Sequence, residues 1–172
     1  MFQAPSKRTV YAAPAEEIDV DQRYLFRLIK IVDEGVSKFA DAAKGEDFHN
    51  LRWHFRVAFA DSPTTPIYTS DGEPWEHVEW TTSKTGKNPK NGMVAKARAW
   101  MEALIGRALD DDEIRPDMDD QLIDHVASGL FENKENTNQM TGEVTTQLRI
   151  LRLSPYKAKA PASKPREEAA AF

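Results

Sequence analysis

Residues 51–60, LRWHFRVAFA, alternate large apolar side chains with polar or small ones from end to end. A period of two belongs to an extended strand, where successive side chains point to opposite faces. Leu51, Trp53, Phe55, Val57 and Phe59 then form one buried row, and Arg52, His54, Arg56 and Ala58 the other. One apolar face and one cationic face fit an antiparallel sheet covered on a single side.

Other elements follow from the same kind of pattern. Residues 23–33 (RYLFRLIKIVD) are β-branched and aromatic enough for a strand, with Gly35 marking a bulge that lets it continue through Val36 and Phe39. Residues 62–74 hold Pro63, Pro66, Gly72 and Pro74, which makes a loop with a short hairpin at 67–69. A third strand fits 75–83. A helix follows, opened by Asn88 and Pro89 and closed at Gly106, with Met93, Ala97, Trp100, Met101 and Leu104 as its apolar stripe. After an acidic stretch, a helical turn is expected at 119–125, and two more strands at 126–134 and 143–153.

Three strands, a helix and two strands is the connectivity of a five-stranded OB-fold. The expectation is therefore a mainly β protein: an OB-fold-like barrel with one helix between strands 3 and 4. A β-sandwich and a split α+β sheet are the competing arrangements. The domain should span 22–155. Residues 1–21 and 156–172, rich in Ala and Pro, read as flexible tails.

Composition narrows the chemistry. The chain has no cysteine, which removes disulfides, thiol nucleophiles and cysteine-based metal sites. No phosphate loop or nucleophile elbow occurs, since Thr85-Gly86-Lys87 lacks the upstream glycine. The four histidines are scattered, and His49 and His54 would lie on opposite strand faces. No catalytic residue, metal or cofactor is expected. No apolar run approaches a membrane span, and residues 1–21 lack the apolar core of a secretory signal, so a cytoplasmic protein without membrane partners is expected.

The net charge of −5 argues at first against a polyanionic partner. Yet Asp110, Asp111, Asp112, Glu113, Asp117, Asp119, Asp120 and Asp124 hold most of the excess in one stretch, which reads as a solvated loop. The strands are neutral to basic. Arg52, His54 and Arg56 share a face, Lys84, Lys87 and Lys90 follow the third strand, and Arg27, Lys30 and Arg149 extend the set. Trp75 or Trp80, on opposite sides of that strand, would supply a stacking platform. Cations for phosphates beside aromatic rings for bases are what single-strand binders use.

Five segments occur in an order that resembles a known family: GVSKF (35–39), LRWHFRVAF (51–59), EWTTS (79–83), NPKNGMVAKARAWMEALIGRAL (88–109) and GEVTTQLRILRLSP (142–155). They look like small bacteriophage OB-fold proteins grouped with phage replication and single-stranded-DNA-binding proteins, most closely over 82–107. The resemblance covers about 23–155 and neither tail. It implies a non-catalytic protein of the host-cell cytoplasm that binds single-stranded DNA with little sequence preference during replication or recombination. The alternative is an OB-fold assembly protein that docks a phage or host replication protein without nucleic acid. The terminal REEAAAF is similar in kind to the acidic tips by which single-stranded-DNA-binding proteins recruit partners.

Overall fold

The computed structural model describes residues 11–157 and 170–172. Five strands form one antiparallel sheet: β1 (Tyr24–Val36), β2 (His49–Phe59), β3 (Glu76–Thr82), β4 (Val126–Thr137) and β5 (Val144–Pro155), in the order β3-β2-β1-β4-β5. Helix α1 (Lys96–Ile105) and the single turn α2 (Asp119–Leu122) lie between β3 and β4. The expected mainly β class and element order are therefore present. No strand ladder joins β3 to β5, so the sheet is open.

The alternation in β2 does what its period demands. Trp53, Phe55 and Val57 are buried, and they meet Phe26 and Leu28 of β1, Phe131 of β4 and Trp100 of α1 in one apolar core. Trp53 and Phe55 both receive the Trp100 ring edge-on, at 5.3 and 5.5 Å between centroids. Register shifts at Leu28/Lys30 and Asp33/Val36 in β1, and at Leu151 of β5 opposite Leu130/Phe131, mark bulges that bend the sheet around this core. Gly35, at φ +88°, occupies the second of these, where a side chain would be strained. Gly129 is needed for a different reason: a Cβ there would lie 2.5 Å from the Arg152 carbonyl oxygen and 2.8 Å from Leu153 Cδ2.

Several boundaries differ from expectation. Helix α1 starts at Lys96, because residues 87–94 close on themselves: Asn88 N–H donates to the Met93 carbonyl, and Gly92 takes φ +71°. Asn88 therefore caps no helix; its side chain accepts from Lys90 N–H, and Met93 is exposed outside the stripe. Gly106 does end α1, at φ +93° with its N–H on Glu102 O. The first strand stops at Val36, leaving Phe39 exposed in a turn.

The described parts of the two tails pack onto the domain. Pro14 bridges Thr69, Ala15 N–H donates to Tyr68 O, and Ile18 rests against the core. Composition missed this segment because its contacts are main-chain pairing and one isoleucine, with no periodicity. Phe172 is buried as well. Residues 1–10 and 158–169, the remainder of the expected tails, lie outside the described residues.

Candidate nucleic-acid interface

The sheet's outer face carries the cationic row of β2. Cross-strand pairing sets Arg52 beside Val32 and Trp80, His54 beside Lys30 and Val78, and Arg56 beside Arg27 and Glu76. Lys30, Arg52, Arg56 and Trp80 thus share one surface, and the Trp80 ring is 46% exposed. Arg56 Nε is buried with no hydrogen-bond partner among the described residues.

Acidic side chains already engage part of this row. Glu34 Oε1 accepts from Arg52 Nη1 at 3.0 Å and from Trp80 Nε1 at 3.2 Å. Arg52 Nε donates to His54 Nε2 at 3.0 Å, which leaves the imidazole proton on Nδ1, 3.6 Å from Glu76 Oε1. Tyr11 stands edge-on to both His54 and Trp80, with centroids 5.9 and 6.3 Å away. Glu34, Glu76 and Tyr11 were not among the sequence candidates. Glu34 is carried onto the face by the bulge at Gly35, and Tyr11 comes from an apparent tail, so period-two reading found neither.

His54 is only 4% exposed. Burial pushes its pKa below the ordinary 6.5; Lys30 and Arg52 push the same way, while Glu76 and Glu34 oppose them. A histidine held neutral in the fold takes up its proton first in the unfolded chain, so its contribution is intact above pH 6.5 and is lost as pH falls below that value and through the lower folded pKa. Urea midpoints at pH 7.5 and 5.5 should show this as an acid-side loss that shrinks in His54→Gln. An equal loss in both proteins would remove His54 as the cause.

The remaining candidates separate. Trp75 is 3% exposed and packs on Phe131 and His77, so it is core and offers no stacking surface. Its position just before β3 on the inner side accounts for this, and Trp80 is the ring left outside. Arg149 of β5 bonds Gln147 at 3.2 Å and lines a groove of about 460 Å³ together with Tyr11 and Trp80. It therefore borders the outer face across the unladdered β3–β5 seam. Lys84 lies over the Phe48 ring at 4.0 Å, beside an inner-side cleft of about 680 Å³ lined by Trp53 and Met101. Lys87 and Lys90 are exposed on the closed 87–94 turn. Among the described residues, no hydrogen bond or ion pair joins the three lysines to the Arg52–Arg56 row.

The acidic stretch is partly neutralised within the fold. Arg107 grips Glu113 through two bonds, at 2.6 and 3.1 Å, and this, with the Asp110 N–H, holds the Glu113 carboxyl down to about 2. Asp111 pairs with Arg98 at 2.6 Å. Among the described residues, no three His, Asp or Glu side chains gather as a metal site, and no helix is long and apolar enough to cross a membrane. No known protein-family model matches the chain, and no curated protein matches it.

Proposed function

We propose that the protein is a non-catalytic, phage-type OB-fold protein that binds single-stranded DNA with little sequence preference, in replication or recombination. The observation that carries this reading is the exposed Trp80 ring set among Lys30, Arg52 and Arg56 on one sheet face, with Arg149 across the adjoining groove. Phosphates would follow the cations, and a base would stack on Trp80. The strand order supports an OB-type barrel, in which Glu79 of β3, accepting the Ile150 N–H of β5 at 2.7 Å, bridges the seam that a backbone ladder would otherwise close. An alternative use of the face, docking a phage or host replication protein, draws on Glu34 and Glu76, which offset its charge.

Anisotropy titration of a labelled oligo-dT in low salt tests the DNA reading. Binding in the micromolar range is expected, with a salt slope that drops by about 1.4 when Arg52 and Arg56 are both replaced by Ala. Trp80→Ala should cost about 1–3 kcal/mol of affinity by loss of stacking. Glu34→Gln should tighten binding, since it frees the Arg52 guanidinium. No binding at protein concentrations of about 100 μM would sink the proposal and favour the docking alternative.

A further inference from the structure

On the same outer face, one strand pair departs from the polar pattern. Leu25 of β1 faces Ala58 of β2, and both are fully buried because Phe172 lies on them. Val126, Tyr156 and Ala170 complete the socket wall. Two main-chain contacts hold the segment in place: Arg27 Nη1 donates to the Phe172 carbonyl oxygen, and Ala171 N–H donates to Pro63 O at 3.0 Å. Asp124 steadies the Arg27 guanidinium from the other side, at 3.2 Å from Nε.

This combination has the chemistry of a peptide site. A greasy hole takes one aromatic side chain, an arginine reads the adjoining main-chain oxygen, and the carbonyl of Pro63, in the turn after β2, takes a main-chain N–H. Ala170 and Ala171 contribute little side-chain bulk, so recognition falls on the phenylalanine and the backbone. Phe172 is the one large side chain of the described 170–172 segment, and residues 158–169 add no large apolar one to the sequence before it. Because residues 170–172 belong to the same chain, they meet the socket intramolecularly, and even a weak intrinsic affinity fills it in cis.

We propose that the Leu25–Ala58–Arg27 socket is a peptide-docking site for an Ala-Ala-Phe segment, filled in cis by residues 170–172 and open to the same sequence supplied in trans. The occupant is fixed by what is seated there: a small-small-aromatic segment whose main chain meets Arg27 and Pro63. The acids Glu167 and Glu168 precede it in the sequence, and Arg27 and Lys30 lie on β1 with Arg23 just before it, so charge favours the same class of peptide.

The experiment uses the full chain and no nucleic acid, so its outcome is separate from that of the oligonucleotide titration. The probe is a synthetic peptide spanning 166–172, REEAAAF, as its amide, which keeps the phenylalanine main-chain oxygen. Amide chemical shifts of Leu25, Arg27, Ala58 and Val126 are followed in uniformly labelled protein. Phe172→Ala should move those shifts, and adding the peptide to that variant should return them towards wild type with a Kd below about 1 mM. Wild-type protein should bind the peptide at least tenfold more weakly, because its own segment competes. A peptide with Ala in place of Phe should leave the variant unchanged. The proposal is overturned if Phe172→Ala leaves the four amides in place, if the peptide binds both proteins equally, or if the variant ignores it. A Phe172-dependent dimer in sedimentation would overturn the cis assignment.

Discussion

Replacing Glu79 by Ala is expected to remove about 3–5 kcal/mol of stability, the cost typical of leaving a buried charge network without its centre. The Glu79 side chain is 6% exposed on the inner side of β3. Its Oε1 accepts from Ile150 N–H at 2.7 Å and from His77 Nε2 at 2.9 Å, and its Oε2 from Lys96 Nζ at 2.8 Å. Three elements, β3, β5 and α1, therefore meet on one carboxylate. Burial by itself would raise the Glu79 pKa, and it is the largest single influence; the bonds and charges of His77 and Lys96 together outweigh it and leave the value below 4.5.

A carboxyl whose folded pKa is depressed adds stability above its unfolded value, and that contribution disappears as pH falls through the folded one. The gap between wild type and Glu79→Ala should accordingly be full at pH 7 and narrow below pH 4.5. Glu79→Gln keeps an acceptor for the Ile150 N–H without the charge, and should fall between the two. Urea denaturation at pH 7 and pH 3.5 measures all three. A loss under about 1 kcal/mol for Glu79→Ala at pH 7 would show that the seam does not depend on this residue.

Strand identity in this chain was legible because the core residues obey a local period. Leu51 to Phe59 alternate, and β2 buries Trp53, Phe55 and Val57 of the expected row, with Leu51 and Phe59 partly buried against the same core; the glycine at 106 ends α1 as its position suggested. What the sequence hid was non-local. Nothing in NPKNGM announces that Asn88 and Gly92 will turn the chain back before the helix begins, since Asn-Pro reads equally as a cap. Trp75 and Trp80 looked equivalent until β3 was placed in register, which put one against Phe131 and the other beside Arg52. The cationic face was visible as a pattern in β2. Its partners Glu34, Glu76 and Tyr11 were not, because a bulge, a cross-strand neighbour and a segment far upstream in the sequence set them there.

Arg98→Ala should be as damaging as the Glu79 substitution, again about 3–5 kcal/mol, and for a related physical reason. Arg98 projects from α1 and is almost wholly buried. Nη2 donates to Leu109 O at 2.5 Å, and Nη1 to Thr85 O at 3.2 Å and Asp111 Oδ1 at 2.6 Å. Asp111 is well exposed, so its ion pair adds little; the weight falls on the two carbonyls. Glu102, one turn along α1, accepts Leu109 N–H at 2.6 Å with its Oε2 3.8 Å from Arg98 Nε. Arginine and glutamate thus pin the loop after β3 and the chain after α1 to the same helix. Truncation at 98 leaves two carbonyls without donors, a half-buried carboxylate without a counter-charge, and a cavity. Arg98→Met restores volume alone and should regain only the cavity share, about 1–2 kcal/mol. Arg98→Lys should fall short of wild type too, because one ammonium on a single stem cannot span acceptors that the guanidinium fork reaches together. Thermal unfolding of the three variants orders these effects, with a melting point for Arg98→Ala roughly 10 °C below wild type. If Met proves as good as Arg, the clasp is only filler, and α1 is held to the sheet by Trp100, Met101 and Leu104 without it.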